Sequence, residues 1–162
     1  MAGTYRVYII RERLSIQDPD MPSPRYHTSI LVETKPETGG GIIHQVTGDI
    51  TSAGGMWYEH EFRDKPQESD DFISKELLGV THASTHPVQW ESVLRQVGAP
   101  PQQKAFNPKT MKTEPFKTLQ PLTFYEPREP RQRLIKCTEW TLEGAIPALK
   151  NAKLVQENCS LS

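Results

Sequence analysis

Two histidines and one late cysteine are the residues of this chain whose types and spacing could do nucleophilic chemistry. His27 heads the apolar run HTSILVE, His44 lies inside the run GIIHQV, and Cys137 opens the amphipathic stretch CTEWTLEGAIPAL. The thiolate form of cysteine, and not the thiol, is the nucleophile. Both a helix N-terminus and a neighbouring imidazolium favour the thiolate. The three residues therefore predict a Cys137 nucleophile, His27 as its general base, and His44 as the group that orients that imidazole.

Strands are predicted to carry the two histidines. Apolar and β-branched residues alternate over 4–14, 27–33, 41–46 and 56–62, which is typical of an antiparallel meander. A glycine-rich turn joins the second and third of these runs as a hairpin. Paired in this way, His27 and His44 can lie on one side of the sheet, near its end.

Helices are predicted over 69–78, 87–97 and 137–149. The first has a serine N-cap, acidic residues in its first turn and a glycine just past its end. The third would bring the backbone N–H groups of Cys137 and Thr138 to a developing oxyanion. The fold class expected is α+β, with a small antiparallel sheet and packed helices. We expect one catalytic domain over 1–155, with a long Pro-rich basic loop over 99–130, and a flexible tail over 156–162.

Composition limits the classes of partner. The chain has 162 residues, which suits one domain, and its 19 basic residues nearly balance its 20 acidic ones. The net charge therefore points to neither nucleic acid nor a membrane surface. The charge is uneven, however, because residues 104–136 contain eight basic and three acidic side chains, a net of +5 that leaves −6 elsewhere.

This basic segment and two acids on the cysteine helix are candidate substrate-binding residues. The basic side chains would contact phosphates, for example of tRNA, and the acids would contact a cationic substrate group. A solvated loop and a solvated helix surface explain the same residues without any ligand. The candidates are Lys104, Lys109, Lys112, Arg131, Arg133, Lys136, Glu139 and Glu143.

The termini and the remaining motifs bear on compartment and cofactors. No secretory signal and no apolar stretch of membrane-spanning length is visible, so we expect a cytoplasmic protein with reduced thiols. The ending Cys159-Ser-Leu-Ser matches the prenylation pattern, which would make Cys159 a lipid site and allow membrane association. His82 and His86 have the spacing of paired zinc ligands but lack the metalloprotease glutamate. We predict no metal and no cofactor, and the oligomeric state is left open.

The sequence segments around His27, His44 and Cys137 resemble those of the circularly permuted papain-like thiol enzymes, in particular the lecithin-retinol acyltransferase group. That family has a histidine at the head of a strand, a second histidine a hairpin later, and a late cysteine followed by an aromatic residue. His27, His44, Cys137 and Trp140 match this order. Lys136 departs from it, because the family has asparagine before the cysteine. The Cys-x-x-Trp helix is also similar to that of uncharacterised small fungal proteins.

The residues and the resemblance lead to three hypotheses. The first is acyl transfer through a thioester on Cys137, by a transferase or by an amidase- or esterase-type hydrolase. The second, from a looser resemblance, is a tRNA-dependent arginine-containing cyclodipeptide synthase, which takes an aminoacyl group from aminoacyl-tRNA. The third is a non-catalytic binding module.

Overall fold

The computed structural model describes residues 3–157. Its main element is a five-stranded antiparallel sheet with the spatial order β4-β3-β2-β1-β5. The four predicted strands are confirmed and form the meander. The strands are β1 (Thr4–Arg13), β2 (Tyr26–Lys35), β3 (Gly40–Gly48), β4 (Met56–Arg63) and β5 (Phe72–His82).

β5 replaces the helix predicted over 69–78, so that prediction is wrong. The residue that looked like a helix cap, Ser69, belongs to a turn, in which its backbone carbonyl accepts the Phe72 N–H at 3.1 Å. Beyond it, β5 pairs along almost the whole of β1, for example Lys75 opposite Ile10. Pairing with β1 satisfies the backbone groups on one side of the segment, and it outweighs a weak local preference for helix.

The other two predicted helices are confirmed and pack on one side of the sheet. α1 spans Val88–Arg95, and a C-terminal helical segment consists of α2 (Cys137–Glu139), a π-helical turn (Trp140–Ala145) and α3 (Ile146–Asn151). The π-helical turn comes just before Pro147, which has no backbone N–H to donate. Two short 3₁₀ helices span Pro66–Glu68 and Ala83–Thr85. No helix of residues 3–157 is long and apolar enough to cross a membrane.

The sheet has two different faces. The helix face carries Val7, Ile30 and Val32, which pack with Trp90 and Trp140 in the main core. The opposite face, called the concave face below, carries a second buried cluster of Ile10, Leu31 and Ile43. The sheet curls strongly around this cluster.

A salt bridge shows how strong the curl is. Arg63 of β4 reaches Glu12 of β1 at 2.9 Å, although two strands lie between them. Side chains from non-adjacent strands can therefore meet on the concave face.

The Pro-rich segment 99–130 is more regular than predicted. It forms a three-stranded antiparallel sheet of β6 (Lys104–Asn107), β7 (Lys112–Leu119) and β8 (Leu122–Phe124). The prolines fit this sheet because Pro108 and Pro121 lie between strands. Pro115 lies where β7 pairs with β6 alone.

The described chain packs against the main sheet beyond the end that the sequence predicts for the domain. Gln156, assigned by the sequence to the tail, exchanges two backbone hydrogen bonds of 2.9 Å with Val80 of β5. This bridge ties the end of the described chain to the edge strand of the main sheet.

Candidate active site

The C-terminal helical segment begins against the start of β2. Cys137, its first residue, is 6% exposed, and its Sγ lies 4.0 Å from the Tyr26 carbonyl oxygen. Thr138 Oγ1 donates to the same carbonyl at 3.1 Å, and Thr141 Oγ1 donates to the Thr28 carbonyl at 3.1 Å. These threonine bonds hold the N-terminus of the helix beside His27.

The thiol of Cys137 is shifted toward the thiolate. Burial alone would raise its pKa, but a hydrogen bond to His27 and the charge of that imidazole outweigh burial. Bonds to the Thr28 backbone and to Thr138 act in the same direction, so the pKa of Cys137 lies below its ordinary value.

The imidazole of His27 is shifted toward the imidazolium. Burial would lower its pKa, yet the hydrogen bond and the charge of Cys137 raise the pKa above its ordinary value, with smaller contributions from Gln45 and Glu12. The two residues therefore favour an ion pair, as a thiol nucleophile requires. The structure places the His27 and Cys137 side chains, which the sequence predicts to act together, at one cavity.

Gln45 is the third residue of this cluster. Its Oε1 lies 2.6 Å from His27 Nε2, which leaves Nδ1 as the ring nitrogen available to Cys137. The sequence analysis missed Gln45, although it follows His44 directly in the same apolar run. A polar residue inside that run was the signal that could have found it.

The prediction that His44 orients His27 is corrected by the structure. His44 is fully buried, with Nδ1 2.7 Å from Tyr58 Oη and Nε2 2.8 Å from His86 Nε2. It also stacks on His60, with ring centroids 5.6 Å apart. Both ring nitrogens are therefore engaged away from His27. Successive residues of a strand point to opposite faces, so His44 and Gln45 cannot serve the same site.

A cavity of about 410 Å³ opens beside the cluster. His27 and Cys137 both line it, together with apolar side chains such as Leu14, Val46 and Met56. A substrate group in this cavity would contact the nucleophile and the base at the same time.

Two of the predicted basic residues also line this cavity, but acids neutralise them. Lys104 Nζ contacts Asp18 at 3.0 Å and Asp20 at 2.7 Å, and Lys136 Nζ contacts Asp18 at 3.0 Å. Burial would raise the pKa of Asp18, but hydrogen bonds from the Asp20 backbone and both lysines lower it to about 2. The lysines therefore hold the β1–β2 loop against the site.

The remaining basic candidates lie away from the cysteine. Arg131 pairs with Asp20 at 3.2 Å, and Arg133 forms a close ion pair with Glu143. Lys109 and Lys112 are exposed at the turn between β6 and β7. None of these four side chains lines the cavity at Cys137.

The two acidic candidates are also engaged within the protein. Glu139 is 8% exposed, binds Arg25 through both oxygens at 2.9 and 3.0 Å, and accepts the Lys136 backbone N–H at 2.8 Å. It caps and anchors the helix start. Because Glu143 pairs with Arg133, the expectation that these acids contact a substrate cation is corrected.

The remaining site predictions concern metal and lipid. Within residues 3–157, no group of three or more His, Cys, Asp or Glu side chains is arranged to hold a metal ion. His86 bonds to His44 and His82 is exposed, so the pair does not form a shared site. Cys159, the predicted prenylation site, lies outside the described residues.

A family model matches residues 8–156, which include His27, Gln45 and Cys137. It describes a family of unknown function, DUF6540. The chain belongs to this family. The candidate site thus lies wholly within the family's domain. No curated protein and no solved structure matches the chain.

Proposed function

We propose that this member of the family is a thiol enzyme that transfers acyl groups through a thioester on Cys137. The observation that carries the proposal is that the Cys137 thiol and the His27 imidazole line one cavity. The imidazole lies 2.6 Å from Gln45 Oε1, and the pKa of each group is shifted toward its charged form. A nucleophile, its base and a group that orients the base make up the minimal machinery of such an enzyme.

The geometry suggests the order of the steps. His27 Nδ1 holds the proton of Cys137, and the thiolate attacks the carbonyl carbon of an acyl donor. The backbone N–H groups of Cys137 and Thr138, which have no acceptor within the helix itself, would stabilise the oxyanion. His27 then protonates the leaving group as the tetrahedral intermediate collapses to the thioester.

The second half of the reaction uses the same residues. His27 takes a proton from the acceptor, which attacks the thioester carbonyl, and Cys137 leaves as the thiolate. Water as the acceptor gives hydrolysis, whereas an amine or alcohol gives transfer. A transferase and a hydrolase therefore share every residue named above.

The arrangement also supports a permuted papain-like fold as the finer description. The histidine strand comes early, the cysteine helix comes late, and the helix packs on an antiparallel sheet. The apolar walls of the cavity at Cys137 suit the acyl group of a donor.

No contact in the described residues supports the tRNA-dependent function as directly as the cavity at Cys137 supports acyl transfer. Four of its six basic candidates, Lys104, Arg131, Arg133 and Lys136, are paired with acids of the protein itself. That function stays a prediction, as do the cytoplasmic location and prenylation at Cys159.

Alkylation of the full chain by iodoacetamide between pH 5 and pH 9 tests the proposal. Peptide mapping separates Cys137 from Cys159, and N-acetylcysteine is the reference thiol. We expect Cys137 to react at pH 6 at least about tenfold faster than the reference, because an ordinary thiol with a pKa near 8.5 holds little thiolate there.

A p-nitrophenyl ester supplies the second readout. It should leave an acyl mass adduct on Cys137 that the Cys137→Ser variant lacks. A Cys137 rate that follows the reference thiol, together with no acyl adduct, would contradict the proposal.

A further inference from the structure

We propose that Glu59 is a positioning residue of this site, which acts through the Gln45 amide to set which nitrogen of His27 carries the proton. The inference rests on the proposed function, because it says how the base is prepared for Cys137. Glu59 itself touches neither the nucleophile nor the cavity at Cys137.

The register of the sheet places Glu59 behind Gln45. The two residues are directly paired between β3 and β4, and Gln45 Nε2 donates to Glu59 Oε1 at 3.2 Å. Gln45 is 6% exposed, so its amide has little access to water as an alternative partner. An ionised carboxylate can only accept hydrogen bonds, and this contact therefore turns the amide NH₂ of Gln45 toward Glu59.

The orientation of the amide sets the tautomer of the imidazole. With its NH₂ directed at Glu59, Gln45 presents Oε1 to His27 Nε2, and an amide oxygen can only accept. His27 must therefore carry a hydrogen on Nε2. In the neutral ring this leaves the lone pair on Nδ1, where it can take the Cys137 proton.

The same orientation also serves the charged state. In the imidazolium both ring nitrogens carry hydrogens, and Gln45 Oε1 still accepts from Nε2. A flipped amide would direct its NH₂ at Nε2, which favours the opposite neutral tautomer and repels the imidazolium. Glu59 excludes this flip, because Gln45 Oε1 and a carboxylate cannot hydrogen-bond each other.

Other acids of the concave face are engaged differently. Glu12 and Glu61 both bind Arg63, at 2.9 and 3.2 Å. Glu12 lies opposite His27 in the register and acts on it through its charge, without any bond to Gln45. Among these acids, Glu59 is the one whose bond reaches the His27 ring through an amide.

The first test compares Glu59→Ala with Glu61→Ala, a matched loss of an acid two residues further along β4. We expect Glu59→Ala to lower the iodoacetamide rate of Cys137 at pH 6 about tenfold, the size of one lost hydrogen bond in the ion-paired state. Glu61→Ala should leave that rate within about twofold. Circular dichroism checks that both variants fold.

The second test is a rescue that a merely structural role would not produce. Gln45→Glu added to Glu59→Ala places a carboxylate directly at His27 Nε2, where it can only accept and needs no second residue to orient it. We expect the double variant to recover the wild-type rate to within about threefold. An unchanged rate in Glu59→Ala, or a loss that Gln45→Glu does not recover, would overturn the inference.

A third readout separates this inference from the proposed function. ¹⁵N–¹H NMR of the His27 ring at high pH, in the Cys137→Ser variant, reports the tautomer without any reaction. We expect the Nε2–H form, and an increase in Nδ1–H when Glu59→Ala is added. A reactive Cys137 with an unchanged tautomer refutes the role of Glu59 alone, whereas an unreactive Cys137 refutes the thiol enzyme.

Discussion

His27 and His44 lie on neighbouring strands of one sheet, yet their surroundings shift their pKa values in opposite directions. The pKa of His27 is raised, because its interaction with Cys137 outweighs burial. The pKa of His44 lies well below its ordinary value, first because of burial and then because of the neighbouring His86 and His60. Both residues are histidines, and the groups around each imidazole determine the direction in which its pKa is shifted.

The partners explain the difference. Gln45 Oε1 can accept from an imidazolium, so His27 is satisfied in its charged form. In the histidine cluster, which comprises His44, His60 and His86, two Nε2 atoms lie 2.8 Å apart. One proton between them makes a hydrogen bond, whereas a second would set two N–H groups against each other. The His44–His86 pair is therefore satisfied in its neutral form, whereas His27 is satisfied in its charged form.

The largest effect that would sharpen this comparison is expected from His27→Asn. Without the imidazole, the thiol of Cys137 returns toward an ordinary pKa, and the thiolate fraction at pH 6 falls below about 1%. We expect the iodoacetamide rate of Cys137 at pH 6 to drop about 100-fold, with little change in the urea midpoint. A reduction of less than threefold would show that His27 does not maintain the thiolate.

The histidine cluster should show the reverse pattern. His44→Ala removes a fully buried ring and leaves Tyr58 Oη and His86 Nε2 without their partner. We expect the free energy of unfolding to fall by about 3 kcal/mol, measured by urea denaturation, while the Cys137 rate of the folded protein stays within about twofold.

Tyr58→Phe is the matched smaller change, since it removes one hydroxyl and should lower the free energy of unfolding by about 1 kcal/mol. A large loss of Cys137 reactivity in either variant would mean that the two faces are not independent.

The smallest effect expected is a pH dependence of stability that comes from the cluster. Burial, with the charge of His60, lowers the pKa of His86 from 6.5 to about 4. Between these values the unfolded chain takes up a proton that the folded chain does not, so stability falls as the pH decreases from about 6.5 toward 4.

His27 works in the opposite direction. Its raised pKa stabilises the folded state below about pH 6.5, and that contribution is lost as the pH rises through its folded value. Urea midpoints from pH 4 to pH 8 should therefore decline toward acid in the wild type and decline less in His86→Gln. An equal decline in both proteins would show that His86 is not responsible.

Much of the fold and half of the site could be predicted from local pattern. Cys137 was predictable because an amphipathic stretch starts at it, and His27 because it heads an apolar run. Gln45 was not, because the choice between it and His44 depends on which face of β3 each one occupies. Pairing along β1 likewise converted the segment from Phe72 onward into β5, against its local helix signals.

The basic segment gives the same lesson about charge. The net charge of +5 over residues 104–136 follows from composition alone. The carboxylate that pairs with Lys104 and Lys136, however, belongs to the β1–β2 loop, which is distant in sequence. The sequence of the segment therefore predicts a polyanion site, whereas in the structure five of its eight basic side chains form ion pairs with acids of the protein.

The sequence by itself determined the first four strands, the start of the cysteine helix and the presence of a thiol and two histidines. These follow from periodicity and from residue types, which act over a few neighbouring positions. The tertiary structure alone decided that Gln45 and not His44 bonds to the His27 imidazole, that Glu59 bonds to that amide, and that His44 pairs with His86. The reason is that strand register assigns each side chain to a face, and a side chain's face determines its partners and hence its charge.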